Sequence, residues 1–293
     1  METSRLETIL VGLNPKTIRH YDVVLSSFKR VMGKPLEKAS VGEILRFINW
    51  GMKSKKWSKR TVLNYMTVIR SYLSYVGRDE EVGELKKHAR KFSKMAWVPK
   101  VNVVLSKDDV VRMINAVPRA VEKYRIENGG DYVPLIWLLY TTGLRLSEAL
   151  SIRVKDVNLE ERTVLPERRK FGEVGGEEGK VVISKSCARL LHKLIEMKGL
   201  GPEDRVFSVA PRTFQLNVKL IAKEAGIHGW KNVHPHLFRH VTSIVLTHAL
   251  REGKIDIETL RGQMGWRNPT QMLSVYSNFG IDVRRQIIDG IFK

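Results

Sequence analysis

The side chains best suited to chemistry lie in one stretch, His234 to Tyr276. It opens HPHLFRH, passes through GQMGWRNP and closes on a single tyrosine in LSVYSNFG. Imidazoles, guanidiniums, an indole and a phenol are gathered in sequence that otherwise has a helical character. A plain helix surface can be built from simpler polar residues. This mixture suits a reaction centre that handles an anion.

Two upstream segments offer further groups. VPLIWLLYTTGLRLSEAL reads as an apolar helix, a stop at Gly143 and a second short helix, with Arg145 just past the turn. An arginine there is costly to bury unless it meets an anion. The plainer reading is an ion pair with Glu148, three residues on. Both can hold, since a carboxylate can orient a guanidinium that also grips phosphate. Downstream, residues 152–158, 162–168 and 180–184 read as three short strands. The second and third are joined by the glycine-rich KFGEVGGEEG, with Lys170 at its start and Lys180 at its exit.

The elements that must position these groups follow from periodicity. Ile18, Tyr21, Leu25, Phe28 and Val31 form one helical face after Pro15. Ser40 with Glu43 makes a capping box for a second helix carrying Ile44, Leu45 and Ile48. Val62, Tyr65, Met66, Ile69, Tyr72, Leu73 and Val76 mark a third, ended by Gly77. Val82, Leu85, Ala89 and Phe92 complete a four-helix unit. Beyond WVPKVNVVL, a break in the helical period, a helix is expected at Ser106 with Asp109 in its cap. Others follow at 185–198, at 212–225 and from Pro235.

With 293 residues, 43% of them hydrophobic, the chain has room for one large domain or two ordinary ones, and wholesale disorder is excluded. No apolar run is long enough to span a bilayer, and METSRLE is no signal peptide. The lone Cys187 excludes an internal disulfide framework and a cysteine-rich zinc site. The formal net charge is +20, a field that attracts polyanions, of which nucleic acid is the commonest. The charge is densest in residues 1–100, which hold 21 lysines and arginines against nine carboxylates. There, KSKKWSKR at 53–60 places Lys53, Lys55, Lys56, Lys59 and Arg60 where they could neutralise several phosphates. Trp57 could pack on a sugar or base, or equally anchor a helix start.

Taken in order, TGLRLSEAL, a lysine in a β-hairpin, HPHLFRH, and GW ten residues before a tyrosine resemble the tyrosine recombinases, or phage-type integrases. HxxR alone is a weak signal; the ordered set is specific, and the resemblance extends over nearly the whole chain. It implies a mainly α fold with a small antiparallel β-sheet. An N-terminal helical core-binding domain would occupy 1–97, a linker 98–105, and a mixed α+β catalytic domain 106–293. Residue by residue, Arg145 and Arg239 match the two catalytic arginines, His236 the histidine of HxxR, and Tyr276 the nucleophile. Glu148 falls at the supporting acidic position. Lys170 is the better match for the hairpin lysine, with Lys180 as the alternative. The usual LGH is here MGW, so Trp266 stands where a histidine is common, which removes proton transfer and leaves packing and one indole N–H.

The reaction so implied is transesterification at a DNA phosphodiester, giving a 3′-phosphotyrosine and a free 5′-hydroxyl, with no metal and no other cofactor. The expected role is integration or excision of a mobile element of a virus or plasmid. Xer-like dimer resolution is the alternative within the family, and a type IB topoisomerase-like enzyme or an inactive DNA-binding protein are the rivals outside it. The expected partner is double-stranded DNA at a specific site, in a cytoplasmic, nucleoid-associated setting without a membrane. The tail IDVRRQIIDGIFK reads as an amphipathic helix. By the resemblance it would be exchanged between the subunits of a homotetramer.

Overall fold

The computed structural model describes residues 14–94, 105–167 and 179–266. The chain divides into two compact units, residues 1–100 and 101–293. The linker predicted at 98–105 lies outside the described residues except for Leu105.

The first unit packs α1 (Pro15–Met32), α2 (Val41–Ser54), α3 (Lys59–Tyr75) and α4 (Asp79–Lys94) around one core. Local chemistry sets their limits. The Asn14 side chain accepts the Lys16 N–H at 2.9 Å ahead of Pro15, and Gly33, at φ +71°, ends α1. The predicted capping box forms: the Ser40 N–H donates to Glu43 Oε2 at 2.9 Å and the Glu43 N–H to Ser40 Oγ at 3.4 Å. Phe28, Ile44, Phe47, Ile48, Met66, Ile69 and Leu73 are fully buried, each contributing about 2 kcal/mol of transfer free energy.

Trp57 belongs to this core. Its ring centroid is 4.1 Å from that of Tyr65 and 5.4 Å from that of Phe47. Gly51 makes room for it, since a Cβ there would lie 2.1 Å from the indole. The tryptophan therefore anchors the start of α3, the second of its two sequence readings.

The second unit is built on α6 (Tyr132–Thr142), which is buried on nearly every side. Packed on it are α5 (Lys107–Tyr124), α8 (Lys185–Lys198) and α10 (His236–Arg251). α7 (Leu146–Ala149) follows α6, α9 (Pro211–Glu224) lies against α5, and α11 (Ile257–Met264) lies against α10. Ser106 and Asp109 cap α5 as expected, with the Ser106 N–H on Asp109 Oδ2 at 2.8 Å. At the start of α6 the fully buried Asp131 pairs with Lys198 and accepts the Ser208 N–H at 2.7 Å, tying α6 to the end of α8.

The three expected strands form an antiparallel sheet in the order β1 (Val157–Asn158), β2 (Thr163–Val164), β3 (Val181–Val182), with Val157 opposite Val164 and Thr163 opposite Val182. They are far shorter than predicted. Residues Val154–Asp156 form a 3-10 turn closed by Asp156 on the Arg153 N–H at 3.0 Å. The Val154 N–H goes to the Asp204 carbonyl and the Val206 N–H to the Ile152 carbonyl, an isolated antiparallel bridge of Arg153 with Arg205, and the Lys155 N–H goes to the Pro202 carbonyl. β-branched composition alone could not reveal that competing partner.

Candidate active site

Arg145 sits at the junction between α6 and α7. Gly143, at φ +69°, stops α6. Its missing side chain also matters: a Cβ there would lie 2.7 Å from Met264 Sδ. Two residues on, Arg145 is the N-cap of α7. Its N–H donates to Glu148 Oε2 at 2.8 Å and its Nη1 to Glu148 Oε1 at 2.7 Å. Glu148 is only 4% exposed, while the arginine side chain keeps 30% of its surface. The carboxylate is thus the buried support and the guanidinium the accessible group, and the predicted pair is present.

Arg239, on the first turn of α10, is 5% exposed. Its Nη1 donates to the Gly143 carbonyl at 2.5 Å and its Nη2 to the Met264 carbonyl at 2.6 Å. The Trp266 ring centroid lies 5.6 Å from the guanidinium carbon, a cation–π contact. One buried arginine therefore joins the TGLR turn, the HPHLFRH helix and the MGW turn. A planar fork reaches both carbonyls with fixed donors while its face lies under the indole, which a lysine ammonium does not offer. Trp266 also packs on the small cluster of Leu260 and Met264, so its indole both covers the guanidinium and closes that cluster.

His236 is the first residue of α10, with its ring 4.8 Å from that of His240 and nearly perpendicular to it. The residue is exposed, and its neighbours desolvate the imidazole in part. That partial desolvation comes first, followed by the positive neighbourhood of His240, Arg239, His234 and Arg145, in pushing its pKa down to about 4. His240 is shifted down for the same kind of reason. His236 is therefore neutral near pH 7 and able to accept a proton. His234 is turned to the Asn232 carbonyl, 2.9 Å from its Nδ1.

Tyr276 and Lys170 lie outside the described residues, as do the tail and most of the glycine-rich loop. Lys180 is placed at the head of β3, with its Nζ 3.4 Å from Glu161 Oε2. Among the described residues no three His, Cys, Asp or Glu side chains gather as metal ligands, and no helix is long and apolar enough to cross a membrane.

In the first unit Lys53, Lys55, Lys56 and Arg60 are exposed. Lys55 leans over the Trp50 ring at 5.7 Å. Lys59 is half-buried, and its Nζ donates to the Ser93 carbonyl at 2.7 Å, at the end of α4. Lys59 is thus partly a structural residue.

Some participants had no signal in the sequence. The carbonyls of Gly143 and Met264 hold Arg239, and backbone groups carry no residue code. Gln263 is a single amide on a short helix, yet its Nε2 donates to the Val182 carbonyl at 2.8 Å and its Oε1 accepts the Val182 N–H at 3.3 Å.

Known proteins resemble this chain in sequence and in fold. The model of the phage integrase family matches residues 103–279. Tyrosine recombinase XerA of Saccharolobus solfataricus is 25% identical over 289 residues, covering 94% of this chain and 86% of that protein. XerA of Pyrococcus horikoshii is 26% identical over 268 residues, covering 88% and 82%. Among solved structures, the Tn1549 transposon integrase in complex with circular intermediate DNA matches with a TM-score of 0.71 at 16% identity, over 97% of both chains. A lambda integrase dimer bound to a COC′ core site matches with a TM-score of 0.62 at 17% identity, over 92% of this chain and 75% of that one. At these identities the structural likeness is one of fold. With the family match spanning residues 103–279, both arginine motifs and the helices and sheet between them, the chain belongs to the phage integrase family, the tyrosine recombinases.

Proposed function

We infer that this protein is a site-specific DNA recombinase that cleaves and rejoins strands through a 3′-phosphotyrosine, and that it integrates and excises a mobile element. The observation that carries this reading is the gathering of Arg145, from the TGLR turn, with Arg239 and a neutral His236, from the HPHLFRH helix, in one positively charged neighbourhood. Two permanent cations beside a proton acceptor suit a phosphodiester whose negative charge grows in the transition state.

In the proposed step the Tyr276 oxygen attacks phosphorus while its proton passes to His236. A phenol with a pKa of about 10 needs such an acceptor or strongly cationic surroundings. Arg145 and Arg239 hold the non-bridging oxygens. The bond from phosphorus to the 5′-oxygen breaks, and the leaving oxygen takes a proton from the hairpin lysine, assigned to Lys170 with Lys180 as the alternative. The bond energy is kept in the phosphotyrosine, so a second strand's 5′-hydroxyl can reverse the step without ATP or a metal. Lys53, Lys55, Lys56 and Arg60 are assigned to the phosphate backbone. The domain roles are assigned likewise: core-type DNA binding to 1–97 and catalysis to 106–293. The tail from Ile281 is assigned to docking on a neighbouring subunit of a DNA-bound tetramer. A chain ending at Asn278 should then cleave DNA but fail to assemble synapses.

The direct test is a covalent protein–DNA adduct formed by the natural chain and abolished by Tyr276→Phe. No adduct from the natural chain removes the enzyme reading. Sequencing the trapped DNA separates the two roles: ends of a mobile element support integration, whereas a chromosomal or plasmid dimer site supports Xer-like resolution. The second role is favoured by one observation, that relatives named XerA align over most of this chain. Relaxed circles without exchanged sites would instead mark a topoisomerase.

A further inference from the structure

Arg145 is held by Glu148, Arg239 by the carbonyls of Gly143 and Met264, and the His234 ring by the Asn232 carbonyl. Among the described residues no hydrogen bond holds the His236 imidazole. A histidine ring turns about its Cβ–Cγ bond with little intrinsic preference. His236 is also the first residue of α10, so no earlier helical turn hems it in. What meets its ring is His240, one turn on. The two centroids are 4.8 Å apart and the planes stand at 83°, the edge of one ring against the face of the other. The quadrupoles of aromatic rings favour that arrangement. His240 is an exposed residue rather than part of the core.

The charged and titratable groups around this pair are Arg239 on the same helix, Arg145 from the junction of α6 and α7, and His234 from the turn before α10. None of these three is a carboxylate. A carboxylate set against the imidazole would orient it but would also favour its protonated form. A second neutral ring orients it without adding negative charge, which suits a group that must arrive empty to accept a proton. We propose that His240 is a positioning residue for the proton acceptor, its ring fixing the plane of the His236 imidazole beside the two guanidiniums. This inference rests on the recombinase reading, in which His236 takes the proton of the attacking phenol.

The role has a chemical signature. Near neutral pH the phenol needs a base, because its ordinary pKa is about 10. As the pH rises toward that value the phenol ionises unaided, and the base matters less. A loss confined to orienting His236 therefore shrinks with rising pH when natural and variant rates are compared at each pH. A loss in folding, in DNA binding or in the arginine clamp keeps a constant ratio.

The experiment uses the full chain and the duplex recovered from its covalent complex. Single-turnover adduct formation is followed from neutral pH toward the phenol pKa of about 10. The chains compared are the natural one, His240→Ala, His240→Phe, His236→Ala and the double change of His236→Ala with His240→Ala. At neutral pH His240→Ala should be slower by about tenfold, part of the roughly hundredfold or more that a general base supplies. His240→Phe keeps a ring for the contact and should stay close to the natural rate. The double change should be no slower than His236→Ala alone, since nothing is left to position. The gap between the natural chain and His240→Ala should narrow as the pH rises. A natural rate for His240→Ala, a loss fully additive with that of His236→Ala, a ratio constant with pH, or a His240→Phe chain as slow as His240→Ala each overturns the inference. A measurement without DNA tests it apart from the recombinase reading. By NMR of the free protein, His240→Ala should raise the His236 midpoint from about 4, as the ring turns into water and loses a neighbour that is charged in acid. An unmoved midpoint overturns the inference even where adduct forms. A natural chain that forms no adduct removes the recombinase reading, and the inference with it.

Discussion

Glu148 holds Arg145 at two points, its Oε2 taking the backbone N–H at 2.8 Å and its Oε1 taking Nη1 at 2.7 Å. Helix capping and orientation of the guanidinium are thus one interaction. Glu148→Ala should cost about 2 kcal/mol, combining a lost cap and a lost buried hydrogen bond. It should also slow adduct formation about a hundredfold through a misplaced guanidinium. Glu148→Gln keeps the cap and should stay within about 1 kcal/mol of the natural chain. Urea denaturation and single-turnover cleavage read the two effects separately. A Glu148→Ala chain that cleaves at the natural rate would show that Arg145 needs no such holding.

His236 makes the pH dependence specific. Its folded pKa of about 4 lies below the ordinary 6.5. Between those values the unfolded chain binds a proton that the folded chain does not, so stability falls as pH falls through that window. Above it both forms are neutral and the contribution is constant. An NMR titration of the free protein should place the His236 midpoint near 4. Double-stranded DNA, by bringing a phosphate anion beside the ring, should raise it. A midpoint at 6.5 in the free protein would contradict the assigned surroundings.

Asp131 is fully buried, with Lys198 on one oxygen and the Ser208 N–H on the other. Asp131→Ala leaves the Ser208 N–H without its acceptor and the Lys198 ammonium with only Ser208 Oγ, and should cost about 3 kcal/mol. The double change with Lys198→Met should recover part of that loss, because the orphaned charge is gone. Neither residue touches the arginine site, so cleavage per folded molecule should be unchanged at low temperature. Calorimetry and adduct formation on the same samples test both halves of this prediction.

The cationic loop before α3 is open to a salt titration. Replacing Lys53, Lys55, Lys56 or Arg60 by glutamine should each lower the slope of log affinity against log salt by about 0.9, if each neutralises one phosphate. Lys59→Gln should change the slope less and stability more, because its ammonium is engaged at the Ser93 carbonyl. Fluorescence anisotropy with a duplex over a range of sodium chloride measures the slope. Four unchanged slopes would remove this loop from the DNA interface.

What could be read from residue order alone shares one property: its partners are neighbours in sequence. The caps at Ser40–Glu43 and Ser106–Asp109, the stop at Gly143 and the Arg145–Glu148 pair all close within four residues. Backbone geometry over such a span follows from the residue types themselves. The apolar stripes of the first four helices were legible for the same reason, since a 3.6-residue period is a local signal. The ordered motifs then named the family.

Tertiary structure decided everything that joins distant segments. Arg239 meets carbonyls at Gly143 and Met264, Gln263 meets Val182, and Asp131 meets Lys198. No pattern around any of these residues names its partner, because the partner is a backbone group or a common side chain delivered by the packing of whole helices. The same long-range pairing drew the start of the first expected strand to residues 202–206, where Arg153 forms an isolated bridge with Arg205. Packing also turned Trp57 inward, where Gly51 leaves a space that only the folded first unit creates. The sequence by itself determined which side chains could do the chemistry. The fold decided that a single buried guanidinium would hold three of its motifs in one place, since a fork of fixed donors can satisfy carbonyls that only the packed chain brings together.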